Sequence, residues 1–246
     1  MLHRFANPAR FLRIARAILP WSAAATVLTL VPGLWLGLYA SPPDYQQGET
    51  VRIMYVHVPS AWMAMFVYAT IAVASAVALV WRHPLADLAA RAAAPIGAGF
   101  TLVALATGSL WGRPMWGTWW VWDARLTSVL ILFFLYLGHI AITNAFDDDE
   151  RGARMGAILA LVGVVNLPVI KFSVDWWNTL HQPASLTKFG APSIDRAMLV
   201  PLLLMAVAFN AYFVTVLLLR MRMLLISRRI DALRLLAAEE AHAPAR

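Results

Sequence analysis

The chain of 246 residues contains no cysteine. It therefore has no disulfide, no thiolate ligand and no nucleophilic thiol, and it cannot attach a cofactor through sulfur. The absence alone does not fix the redox compartment. Charge is also scarce. Asp, Glu, Lys and Arg make up 13% of the residues and 61% are hydrophobic, whereas a soluble domain averages about 25% charged residues. An ordinary soluble domain is excluded, and an integral membrane protein is expected.

What is present is arranged in long apolar runs. A bilayer-spanning helix needs ~20 mostly apolar residues. Six runs qualify, at roughly 18–40, 61–81, 92–111, 128–145, 155–172 and 197–219. The fifth is short and carries Asn166, Pro168 and Lys171. The runs are continuous, not alternating, so they are not barrel strands. The expected fold is all-α: an integral membrane protein with six transmembrane helices, forming a single domain over 1–246. The first run is longer than the apolar region of a signal peptide, so it is expected to remain as a span. Of the lysines and arginines, fourteen fall on the side of the termini and six on the other. The positive-inside rule then makes both termini cytoplasmic. The net charge of +7 is explained by this topology, and no nucleic-acid partner is inferred from it.

The cytoplasmic segments read simply. Asp147 to Glu150 looks like a solvated turn. The tail, about 220–246, reads as a basic amphipathic helix continuing the sixth span, suited to anionic lipid or a partner. The outer loops, 41–63, 111–128 and 173–195, are longer. Seven of the eleven tryptophans sit in the last two. The stretch WGTWWVWDARLTS, from Trp116 to Ser128, holds Trp116, Trp119, Trp120, Trp122, Asp123 and Arg125 between the third and fourth spans. An aromatic belt places indoles at both interfaces, not in a one-sided cluster. If this stretch is helical, Trp116, Trp119, Trp120 and Asp123 share one face. Such a patch suits a large, flat, apolar partner: a tetrapyrrole, a quinone, a quaternary ammonium or a protein surface.

Six histidines are present, and only His57 and His181 fall in outer loops. His139 lies inside the fourth span, where a hydrogen bond within the bundle is expected. Two imidazoles on opposite sides of one metal suit six-coordinate haem iron. Arg52, Arg125, Lys188 and Lys171 are the cations placed to meet haem propionates, and the planar fork of Arg matches a carboxylate best. Asp123 could orient Arg125 or cap the helix after it. Zinc or copper usually takes three or four protein ligands, and the outer face offers only His57, His181, Asp123 and Asp175. A membrane cytochrome would bury histidine pairs within its spans, which hold only His139. No catalytic triad is visible. Two readings from other classes stay open. One is a small-solute transporter, which needs polar groups at mid-membrane; Asn166, His139 and Asn210 are the main candidates. The other is a structural subunit whose tryptophans dock a partner helix.

The sequence WGTWWVWDARLTS resembles the tryptophan-rich WWD signature of haem-handling membrane proteins of cytochrome c maturation. MYVHVPSAW in the first outer loop and WWNTLHQPAS in the third narrow the likeness to the haem exporter protein C (CcmC) family, over nearly the whole chain. The resemblance implies a protein that is not an enzyme. It would bind haem b as cargo on the periplasmic face of a bacterial inner membrane and present it to the haem chaperone CcmE. CcmE is expected to bond the haem through its own histidine, and CcmA, CcmB and CcmD to complete an ATP-driven complex. By the matching motifs, His57 and His181 carry over as axial iron ligands. Trp116, Trp119, Trp120, Trp122 and Asp123 carry over as the haem platform, and Arg52 and Arg125 as propionate contacts. Pro183, directly after HQ, is the one departure noted from the motif; it would stiffen the loop that carries His181.

Overall fold

The computed structural model describes residues 7–177, 179–181 and 194–242. Helix α1 runs Pro8–Trp35 and continues through a wider turn, Leu36–Ala40. A short 3-10 turn, Glu49–Ile53, leads into α2, Met54–Trp81. Next come α3, Pro84–Trp116, and α4, Ala124–Thr143. Then follow α5, Asp149–Gly163, α6, Asn166–Trp176, and α7, Arg196–His242. Taking α5 and α6 as one broken span, six segments among the described residues are long and apolar enough to cross a bilayer. The protein is an all-α, multi-pass membrane protein.

The helices exceed the apolar runs because polar residues at both ends belong to them. Asn7 accepts from the amides of Ala9 and Arg10, so α1 starts at Pro8 and not near residue 18. Helix α2 starts at Met54, seven residues before the apolar run, and includes Pro59. His57 is thus a helical residue, not the loop residue expected. The fifth span breaks because Pro168 cannot donate a helical hydrogen bond. The chain restarts at Asn166, whose side-chain amide donates to the Ser128 carbonyl of α4 at 2.8 Å.

Two clusters define the ends of the bundle. At the tail end, Leu85, Leu88 and Ala92 of α3 pack with Phe11 of α1 and Met221 of α7. At the loop end, Val51, Met54 and Tyr55 pack with Met198, Leu202 and Met205, with Leu34 and Trp111 alongside. Between them, Tyr68 and Tyr136 meet edge to face at 5.2 Å. Tyr136 donates to the Ala64 carbonyl at 2.7 Å, and its ring lies directly against Gly97.

The tail end corrects two expectations. Asp148 caps α5, accepting from the Glu150 amide at 2.9 Å. Asp149 pairs with Arg91 at 3.2 Å and with Arg228 at 3.4 Å, and both arginines also reach Asp87. The acidic run is therefore partly a structural junction of α3, α5 and α7. His139 is buried as expected, but its Nδ1 has no hydrogen-bond partner among the described residues.

The close approach at Gly97 gives a direct check. Gly97→Ala would drive a methyl into the Tyr136 ring, while a methyl at Gly99 meets nothing within 4 Å. Overpacking costs about 1–3 kcal/mol, and Ala is favoured over Gly in a helix by ~1 kcal/mol. Thermal unfolding in detergent should show a lower midpoint for Gly97→Ala and an unchanged or higher one for Gly99→Ala.

A candidate two-histidine site

The site lies at the loop end, where α2 and α3 meet the 117–123 loop and the segment after α6. His57 occupies the first turn of α2 with its ring against α3. An added methyl at Gly108 would come within 2.9 Å of the ring, so only glycine leaves the imidazole its place. Trp111, one turn further along α3, meets it edge to face at 5.7 Å. The Trp111 indole is in turn held by the Gln47 side chain at 3.0 Å.

The hydrogen bonds around His57 fix its tautomer. Thr107 Oγ1 donates to the Val103 carbonyl at 2.6 Å. Its single proton is thereby used, so it accepts from His57 Nδ1, 3.0 Å away. Nδ1 carries the proton and Nε2 keeps the free lone pair that a metal takes.

His181 is built differently. The ring of Trp116, the last residue of α3, meets it at 4.9 Å. Asp123 Oδ2 faces its Nδ1 at 3.6 Å, beyond hydrogen-bond range. Among the described residues neither atom has a hydrogen-bond partner, and neither does the buried Nε1 of Trp120. The other Asp123 oxygen accepts from the Leu126 amide at 2.7 Å, so Asp123 caps α4, one of its two expected roles. The His181 imidazole is pushed down to about pKa 4. Burial is the main cause and Arg125 the second; Asp123 opposes both. It is therefore neutral near pH 7, the form that ligates metal. The two imidazoles come from separate elements yet lie close enough for their charges to interact.

The tryptophans do not form the helical face expected if 116–128 were continuous helix. Gly117, with φ of 76°, ends α3, because a left-handed residue closes a helix and glycine takes it without strain. Residues 117–123 then form a loop. Its carbonyl at Trp119 accepts from Ser109 at 2.7 Å, which ties the loop back to α3. Trp116 and Trp120 are half-buried, whereas Trp119 and Trp122 are 54% and 76% exposed.

The arginines are engaged with the protein. Arg52 pairs with Glu49 at 2.8 Å and donates to the carbonyls of Leu38 and Ser41. Arg125 donates to Ser173 Oγ at 3.1 Å and to the carbonyls of Ile170 and Lys171 at 3.4 Å. It therefore ties α4 to the middle of α6, the helix that precedes the segment carrying His181. Lys188 and Pro183 lie outside the described residues. Sequence reasoning missed Thr107, Gly108 and Trp111. Their signal was their spacing on one helix just before the tryptophan segment. Among the described residues no group of three or more His, Asp or Glu is arranged to hold a bare metal ion. Two apolar grooves lie elsewhere, one beside Leu203 and Val207 of α7, the other along α2 near Phe66 and Val73.

These features define a polytopic membrane protein with a two-imidazole, tryptophan-walled site at one end of its bundle. Residues 1–236 match the family model described as Heme exporter protein C. The chain is 60% identical to the Heme exporter protein C of Bradyrhizobium diazoefficiens over 233 residues, 95% of this chain and 88% of that one. It is 53% identical to that of Haemophilus influenzae over 222 residues, 90% of each chain. It is 51% identical to that of Escherichia coli K12 over 225 residues, 92% of this chain and 91% of that one. The chain belongs to the Heme exporter protein C family.

Asp123 allows cap and charge to be separated. Asn caps a helix about as well as Asp, so Asp123→Asn should leave α4 intact. It removes the carboxylate that favours protonated His181. Nitrogen-15 histidine spectra should show wild-type His181 neutral down to about pH 4, and the Asp123→Asn variant protonating at still lower pH.

Proposed function

We propose that this protein holds haem at its loop end, with His57 and His181 as axial ligands of the iron, and presents it to a haem chaperone during cytochrome c maturation. The observation that carries the reading is the pair of imidazoles that two separate elements bring to the loop end. His57 Nε2 is left free by the Thr107 hydrogen bond. His181 faces an otherwise unpartnered Asp123 oxygen. Haem iron with two histidine ligands needs only two protein donors, and this site offers two.

The surroundings fit a porphyrin. Trp116 walls the His181 side, Trp120 packs on Trp122, and the exposed Trp119 and Trp122 supply an apolar surface for the ring face. Among the described residues the buried Trp120 Nε1 and Asp123 Oδ2 have no partner, as polar atoms that receive a ligand do. Arg125, beside the segment that carries His181, is the better-placed propionate contact and would exchange its bonds to Ser173 and the α6 carbonyls for it. Arg52 would have to leave the Glu49 carboxylate as well as two carbonyls. Haem b is the cargo we assign, and the protein catalyses no reaction on it. CcmE is the receiver, and CcmA, CcmB and CcmD are the companion subunits. Both termini are cytoplasmic and the site is periplasmic, on the charge asymmetry of the loops.

The first test is the visible spectrum of the detergent-purified protein co-expressed with its companion subunits. Wild type should carry a Soret band typical of bis-histidine haem. His57→Ala and His181→Ala should lose or shift it and stop chaperone loading. Wild type without haem, or normal chaperone loading in both variants, would overturn the proposal.

Thr107 tests the supporting shell. Removing a hydrogen-bond partner of a ligating histidine typically costs 10–100-fold in affinity. Thr107→Val should retain haem more weakly by about that factor, while eluting as wild type does. Unchanged affinity would show that His57 is not oriented for iron through Nδ1.

A further inference from the structure

Helix α7 runs unbroken for 47 residues, Arg196–His242. At 1.5 Å per residue this is roughly 70 Å, more than twice the ~30 Å core of a bilayer. Beyond Arg220, one face packs on α3 through Met221, Leu224 and Leu225. Arg220 donates to the Ala92 carbonyl at 3.0 Å. Arg228 reaches Asp87 at 3.2 Å and Asp149 at 3.4 Å. The extension is thereby pinned to the bundle beyond the sixth apolar run, which ends near residue 219.

The opposite face is apolar and open. Met223, Ile226, Ile230 and Leu233 are 55%, 50%, 43% and 57% exposed. Their spacing of three and four is the a/d seam of a two-stranded coiled coil. Ile226 to Leu233 stand roughly 9 to 20 Å beyond Arg220 along the helix, too far out for lipid tails to cover them.

We propose that this seam docks an amphipathic helix of another membrane-held protein, with acidic residues flanking its apolar stripe. Charge selects this occupant. Arg222 and Arg229 precede the two a-type residues, and Arg234 follows Leu233. Arg234 also meets Asp231 at 3.6 Å, but both side chains are exposed and such pairs hold little. A second copy of this chain lies parallel in the same membrane. Coiled-coil pairing would then set Arg229 of one copy beside Arg234 of the other, a like-charge contact. A partner with Glu or Asp at those places turns repulsion into attraction. Two heptads bury little area, so the partner must already sit at the same membrane, where tethering raises its effective concentration.

The cysteine-free background makes the test direct and independent of the haem reading. Ile230→Cys and, as an off-seam control, Asp231→Cys are expressed from the native locus. Labelling by a water-soluble maleimide is timed in open membrane fragments and in the purified chain in lipid nanodiscs. Ile230→Cys should label about tenfold more slowly in native membranes than in nanodiscs, the factor for a modest protecting equilibrium. Asp231→Cys should label alike in both. Adding Arg229→Glu and Arg234→Glu to Ile230→Cys should restore fast labelling, with the elution profile unchanged. Equal rates in both preparations would show an open seam and overturn the proposal. Slow labelling in nanodiscs would also overturn it, by assigning the cover to lipid. A disulfide-linked dimer of the Ile230→Cys chain would assign the cover to a second copy. Protection that survives the charge reversal would rule out an acidic partner.

Discussion

A bilayer offers no hydrogen-bond partners, and that constraint decides where this chain can hold chemistry. In the hydrocarbon region every backbone polar group must be satisfied within the helices. The hydroxyls there mostly bond back to their own helix, as Thr101 does to Gly97 and Thr215 to Ala211. Functional polarity is pushed to the ends. At the loop end, imidazole, indole and carboxylate side chains gather where α2 and α3 meet the 117–123 loop. His57 illustrates the solution. It sits in the first turn of α2, deep enough to be half-buried, with its Nδ1 proton taken by a threonine of the neighbouring span.

The two histidines are supported in different ways. His57 is held by α3: Gly108 gives it room, Trp111 borders it and Thr107 sets its tautomer. These three residues lie within five positions of one rigid helix, so their geometry cannot drift separately. His181 lies on the segment after α6. That helix is tied down by Arg125, which donates to Ser173 and to the Ile170 and Lys171 carbonyls. One imidazole is therefore held by a single rigid helix, and the other, among the described residues, by Trp116 and by a segment that follows the Arg125-bound helix.

The six spans were legible because bilayer thickness imposes a length and composition that no other environment imposes. Their ends were less so, because Asn7 and Asp148 extend or fix helices by capping, and polar caps are invisible to an apolar count; only the Asp123 cap was among the roles the sequence offered. His181 and the tryptophan segment stood out in the sequence by their place between apolar runs, whereas His57, expected in a loop, is part of α2. The helical face assumed for Trp116 through Asp123 was not real. A glycine with positive φ ends α3 one residue after Trp116, and WGTWW alone does not show whether Gly117 closes a helix or sits inside one. Thr107, Gly108 and Trp111 were hidden for a related reason. A threonine and a glycine in an apolar run look like ordinary packing until a histidine is placed against them by the neighbouring helix. Asp149 was misread because an acidic run beside a turn looks solvated until Arg91 and Arg228 arrive from distant parts of the chain.

The two ends of the bundle use charge in opposite ways. At the tail end, Asp87, Asp149, Arg91 and Arg228 form a network with equal charges of each sign, drawn from three helices. Exposed pairs contribute little individually, but this network shares each carboxylate between two guanidiniums and lies partly shielded by α3 and α7. It fixes the angle at which α7 leaves the bundle, and with it the direction in which the open seam faces. At the loop end one oxygen of Asp123 has no donor among the described residues, and the imidazole beside it stays neutral because burial and Arg125 outweigh that carboxylate. A balanced network resists change, whereas a buried carboxylate oxygen without a donor is improved by any group that brings one.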